Sequence, residues 1–211
     1  MKKILIFLFF MSFLLTQSWA QNKFPSQIWH KGKVVATDGQ IYSGLIMYDL
    51  ENNIVQLQRE SVETFGASNV SQFEIFDEIY GGIRTFYSLP YALATDYQTP
   101  VFFEVLTQGD EVALLCREYV ATDNRGMGMN GPMMMNPMWG GPMMGMGYRL
   151  AFNYFFFKDG EIQKYSQKKK DLMVFFDDRE DEVKLYMRKN RLSHDKRGDL
   201  LRITAYYNQI K

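Results

Sequence analysis

The stretch KVVATDGQIYSGLIMYDLENNIVQLQ, residues 33–58, decides the fold class. Val34-Val35-Ala36 and Ile41-Tyr42 flank Thr37-Asp38-Gly39-Gln40, and an Asp-Gly pair supplies the positive φ angles of a tight hairpin. Gly44 to Tyr48 continues the second strand, and Leu50-Glu51-Asn52-Asn53 marks the next turn. Ile54, Gln56 and Gln58 then alternate with Val55 and Leu57, the period-two signal of a strand with one buried face.

Moving outward, Val70–Asp77 and Arg84–Tyr87 supply two more strands, and Val101–Thr107, Gln108-Gly109-Asp110 and Glu111–Tyr119 a second hairpin. Residues 28–119 therefore read as a small sheet or barrel. The pattern breaks over 120–147 and resumes at Tyr148–Phe157, where Leu150, Phe152, Tyr154 and Phe156 share one face. Lys158-Asp159-Gly160 turns that strand into Glu161–Ser166. The two sides of the break, Glu111–Val120 and Tyr148–Phe157, are expected to pair as one hairpin. Helical spacing takes over towards the C-terminus. Lys169–Asp178 carries Leu172, Met173, Phe175 and Phe176. Val183, Tyr186 and Met187 follow at i, i+3, i+4, with acids first and bases last along Asp178–Asn190. Leu200, Ile203, Tyr207 and Ile210 make a third stripe. The expected class is α+β: an antiparallel β-rich body over residues 21–166 and a short helical segment over 167–211.

Several of these stretches resemble a family of uncharacterised exported proteins from Bacteroidetes. They are Lys31-Gly32-Lys33-Val34-Val35, Tyr48-Asp49-Leu50-Glu51-Asn52-Asn53, Phe73-Glu74-Ile75-Phe76-Asp77, Phe86-Tyr87-Ser88-Leu89-Pro90, Phe102-Phe103-Glu104-Val105-Leu106 and the terminal Tyr206-Tyr207-Asn208. The resemblance covers most of residues 28–208 and consists of structural residues. It implies export and a shared architecture, and no known activity.

The N-terminus carries its own signal. Lys2 and Lys3 precede an apolar run from Ile4 to Leu15, and Ser18 and Ala20 sit three and one residues before a cut ahead of Gln21. That order is a secretory signal peptide over residues 1–20. The run rises only about 18 Å as a helix, short of the roughly 30 Å hydrocarbon core. No Cys stands at the cut, which excludes a bacterial lipid anchor, and no later stretch is a membrane span. The expected location is the periplasm or the medium. Cleavage removes two of the 24 basic residues, leaving 22 against 24 acidic ones, a balance that does not favour nucleic acid. Cys116, the single cysteine, lies in the apolar run Val112–Cys116 and reads as a buried, inert thiol.

Gly126–Gly147 holds nine Met, seven Gly, three Pro, two Asn and Trp139. Thioether sulfur is a soft neutral ligand that prefers Cu(I). Met127, Met129, Met133, Met134, Met135, Met138, Met143, Met144 and Met146 are therefore the candidate metal ligands. Against them stand the lack of His or Cys in the loop, the cost of ordering such a chain, and neutral drift at a tolerant hairpin tip. Contact with a protein partner is a further use for methionines.

Other motifs fail on context. Gly126-x-Gly128-x-x-Gly131 lacks the strand and helix of a dinucleotide site. Ser166-x-x-Lys169 lacks its companion motifs. Asp177–Glu182 lacks EF-hand spacing and reads as a helix start. His30 and His194 are expected at the surface or a strand edge. Glu74, Asp77, Glu78 and Glu104 could include an acid–base pair, and the tyrosines of 80–100 a sugar- or peptide-binding surface. The leading expectation is a non-enzymatic exported structural or interaction protein with no catalytic residue and no cofactor. The alternatives are periplasmic Cu(I) handling and an enzyme on an unrecognised scaffold.

Overall fold

The computed structural model describes residues 24–93, 96–123 and 147–211; the signal peptide read at 1–20 lies outside them. One antiparallel sheet of ten strands carries helices at its C-terminal end. The strands are β1 (His30–Ala36), β2 (Ile41–Asp49), β3 (Ile54–Gln58), β4 (Val62–Gly66), β5 (Val70–Asp77), β6 (Gly82–Tyr91), β7 (Thr99–Thr107), β8 (Val112–Asp123), β9 (Gly147–Lys158) and β10 (Glu161–Tyr165). Their order is β10-β9-β8-β7-β6-β5-β1-β2-β3-β4. The α+β class and the β-rich body stand as read.

The turns form where the sequence supplies them. Gly39 takes φ 86°, and the Asp38 carboxylate accepts from the Gln40 N–H. Asp159 and Gly160 both have positive φ, as a two-residue hairpin turn requires. One connection dictates the shape. Gly66 and Val70 are bridged by three residues, a reach of about 14 Å. A flat sheet would put β4 and β5 about 19 Å apart, four strand spacings. The first half must therefore curl. Hydrogen bonds from Ala67 N to Asn53 O (3.1 Å) and Thr37 N to Asn69 O (3.0 Å) pin the curl.

Cross-strand partners run in register across eight strands: Tyr42, Val34, Phe73, Phe86, Glu104, Cys116, Tyr154 and Tyr165. That face holds two apolar clusters. Val34, Ile46, Leu57, Phe73 and Phe86 fill the curl. Leu114, Cys116, Tyr154 and Phe156 pack under the helices. The opposite face carries a third cluster, with Phe103, Leu115 and Phe155 at its centre. Strands β7–β9 are thus buried on both faces, which is why they read as unbroken apolar runs.

Helices α1 (Lys169–Met173), α2 (Glu180–Asn190) and α3 (Arg197–Ile210) cover the second cluster. The helix expected through Asp178 is a 3-10 segment, Val174–Arg179, broken at Phe176 (φ −127°). The break turns both Phe175 and Phe176 inward, against Phe156 at 4.2 and 5.6 Å. Asn208 of α3 accepts from Val112 N (3.1 Å) and donates to Val112 O (2.8 Å), sewing the last helix to β8. No helix among the described residues is long and apolar enough to cross a membrane.

Gly32 is fixed by space. A Cβ there would lie 2.1 Å from Glu74 O and 2.8 Å from Ile46 Cδ1. Gly32→Ala is expected to cost about 1–3 kcal/mol, by overpacking, in urea unfolding. Gly66→Ala meets nothing within 4 Å and should stay within about 0.5 kcal/mol of wild type.

Candidate functional site

Strand alternation places Asp77 of β5, Arg84 of β6, Glu104 of β7 and Glu118 of β8 on the one inner face, between its two apolar clusters. Arg84 is only 4 % exposed, and every one of its five N–H groups is taken. Nε donates to Glu104 Oε1 (2.9 Å). Nη1 donates to Asp77 Oδ2 (2.9 Å) and the Tyr48 hydroxyl (2.8 Å). Nη2 donates to Glu104 Oε2 and Glu118 Oε2, both at 2.8 Å. The Tyr48 hydroxyl in turn donates to Glu118 Oε1 (2.5 Å), joining the curled half of the sheet to β8. From the helices, Arg197 reaches the same Glu104 carboxylate (Nη1 to Oε2, 3.0 Å), and Tyr80 covers both guanidiniums at 5.1 and 5.4 Å.

Three buried carboxylates thus face the buried guanidinium of Arg84 and the partly exposed one of Arg197. Burial works to raise the Glu104 pKa, but hydrogen bonds from Arg84 and then Arg197 outweigh it and hold the carboxyl below its ordinary range. Burial likewise opposes the charge on Arg84, and Glu104 overcomes it, so its pKa is raised. Burial pushes the Tyr48 phenol well up and keeps it neutral. Among the described residues no buried side-chain polar atom lacks a partner. All five N–H groups of Arg84 are taken, and each carboxylate around it is tied to groups of the chain itself.

Arg117, on the other face of β8, is a second tie. It donates to the carbonyls of Leu50 and Phe102 (2.6 Å to the latter) and to Asn53 Oδ1 (2.9 Å), and burial pushes its pKa down to about 10. A cleft of about 200 Å³ opens where β2 meets the loop-end half of the β8–β9 hairpin, with Gln27, Tyr48, Leu50, Glu118 and Leu150 in its wall.

The nine candidate methionines, Met127 to Met146, lie outside the described residues. The hairpin that bears them is present as expected, paired from Val112↔Lys158 to Asp123↔Gly147. Cys116 is buried, and burial pushes its thiol up. His30 corrects its expectation: it is 3 % exposed, with Nε2 2.8 Å from Pro25 O, because the 3-10 turn Pro25–Gln27 folds over β1. His194 is half-buried, in the link between α2 and α3. Ser166 bonds Asp171 rather than Lys169. Of the four carboxylates considered as a pair, Asp77 and Glu104 meet on Arg84. Glu74 pairs with Lys33 on the outer face, and Glu78 is exposed in a turn. Tyr87 lies in a strand as read, and that strand, β6, runs on through Tyr91. Arg84, Glu118, Tyr48 and Arg197 escaped the sequence reading. The signal for the first two was a charge at an inward strand position, Glu118 between Cys116 and Val120 and Arg84 two residues before Phe86. Among the described residues no group of three or more His, Cys, Asp and Glu is arranged to hold a metal ion.

Comparison with protein-family models, with curated proteins and with solved structures returns no match.

Arg84→Met leaves three buried carboxylates without their shared partner, and should cost about 3–5 kcal/mol in chemical denaturation. The folded pKa of Glu104 lies below its unfolded value of about 4.3, so its contribution is complete above that pH and is lost as pH falls through the folded value. Acid titration of stability should therefore show a limb below about pH 4 that flattens in Glu104→Gln.

Proposed function

We propose that this chain is an exported, non-catalytic structural or interaction module. The observation that carries the reading is the closure around Arg84: all five of its N–H groups are taken by the chain's own atoms, and among the described residues no buried side-chain polar atom lacks a partner. A catalytic carboxylate or guanidinium needs an atom left for substrate. The order of charge, apolar run and small residues over 1–20 supports delivery to the periplasm or the medium, as does the resemblance to exported Bacteroidetes proteins.

The test follows the function lost on deleting the gene, across Tyr48→Phe, Asp77→Asn and Glu118→Gln. Function should track the folded fraction of each variant. A variant as stable as wild type yet inert would show that the cluster does chemistry. Export has its own readout. The intact mass of protein recovered outside the cytoplasm should correspond to residues 21–211, and recovery only as the full 211-residue chain in membranes overturns cleavage.

One observation favours a second reading, Cu(I) binding by Met127, Met129, Met133, Met134, Met135, Met138, Met143, Met144 and Met146. The pair Asp123↔Gly147 closes the β8–β9 hairpin, and the sequence between these two residues carries all nine methionines. Soft thioethers suit Cu(I) without losing a proton. Titration of residues 21–211 with Cu(I) against a competing chelator should show micromolar or tighter binding that vanishes when the nine methionines become serine. Equal behaviour of the two proteins removes the metal reading.

A further inference from the structure

The charge of the chain is unevenly placed. Residues 167–211 carry 12 basic and 8 acidic side chains, and residues 21–166 carry 10 basic and 16 acidic. The excess of base on the helical segment gathers at a groove of about 530 Å³ between α1 and the far end of α2, lined by Lys169, Lys184, Arg188 and Arg191, with Asp181 as its one carboxylate. Met187 and Leu192 lie at its floor, where both pack on the apolar cluster beneath the helices.

Helix electrostatics explain part of this arrangement. Arg188 sits in the last turn of α2, where a cation complements the negative end of the helix dipole. The carbonyls of that turn are already capped by backbone, Arg191 N to Arg188 O (3.3 Å) and Leu192 N to Met187 O (2.9 Å). The dipole does not account for Lys169, which comes from α1. Nor does it account for Lys184, one and a half turns back, where Glu180 pairs with it. Among the described residues Lys169, Arg188 and Arg191 have no ion-pair partner, although eight acids lie in the same segment. Apart from Asp181 in the groove and Glu180 on Lys184, those acids bond elsewhere: Asp171 to Ser166, Asp177 to Lys158, Asp178 to Lys211 and Tyr207, Glu182 to Arg179, Asp195 and Asp199 to Ser193.

We propose that this groove binds an anionic glycan, a sugar chain bearing carboxylate, sulfate or phosphate groups. Unpaired cations from two elements converge on a concave wall, and guanidinium forks match such oxyanions in two-pronged pairs. The apolar floor suits the C–H face of a sugar ring, and a groove is shaped for a chain rather than for a flat membrane. The inference deepens the non-catalytic reading by naming a partner. Its mutations leave the Arg84 cluster untouched, so its failure would not count against that reading.

Binding of residues 21–211 to dextran sulfate, with neutral dextran and phosphatidylglycerol vesicles as parallel arms, tests it. Dextran sulfate should bind with an affinity that falls steeply as salt rises. Arg188→Glu with Arg191→Glu should weaken it at least tenfold, with unfolding unchanged. Lys189→Glu with Arg202→Glu, two exposed positions outside the groove, makes the same charge change and should weaken it less than threefold. Equal losses in the two double variants mean net charge and no site, and overturn the proposal. Binding to vesicles but not to dextran sulfate makes the surface a membrane contact, and overturns it as well.

Discussion

Arg84 and Glu104 hold this molecule at its centre. The row of side chains that crosses eight strands is apolar or aromatic except at Glu104, and there the sheet passes from one apolar cluster to the next. A lone carboxylate at that depth would be untenable. Two-pronged pairing with Arg84, with Arg197 added from the helices, makes it tolerable and fixes the relation of β6, β7 and α3. Packing leucine or phenylalanine at these positions could equal such a cluster in stability, since removing charges from water offsets much of the attraction. Geometry is what the charges add. Five N–H groups aimed at fixed acceptors accept a single register of five strands, β2 and β5–β8, whereas an apolar junction tolerates sliding.

Much of the fold was legible because strands and turns advertise themselves locally. The Asp38-Gly39 and Asp159-Gly160 turns, the β8–β9 pairing and the last two helical stripes sit where their residues indicated, whereas the first stripe is helical only to Met173. Strand β4 did not show, because Val62–Gly66 is half-exposed at the sheet's edge and carries no clean alternation. The curl was also hidden. It follows from a three-residue link between strands that are not neighbours, and no propensity encodes which strands pair.

The central cluster was less legible than the fold. Asp77 and Glu104 drew notice as carboxylates, but chemistry was sought in them because a sequence cannot show that one arginine satisfies both. Tyr48 and Glu118 are 70 residues apart in the chain and meet only once the sheet has curled. The methionine segment shows the reverse. Its composition drew the most attention in the sequence, while the residues around it show a regular hairpin in register to its last pair.

The long spans of these contacts bear on when the fold can be finished. Glu104 waits for Arg197, 93 residues later, and Val112 for Asn208, 96 residues later. Contacts of such separation must meet the entropy of closing large loops before they return any stability, which slows folding. A chain still emerging from the ribosome lacks the helix that completes both its central ion cluster and the edge of β8. It therefore stays unfinished until Arg197 and Asn208 have been made, 93 and 96 residues after the strand residues they tie down.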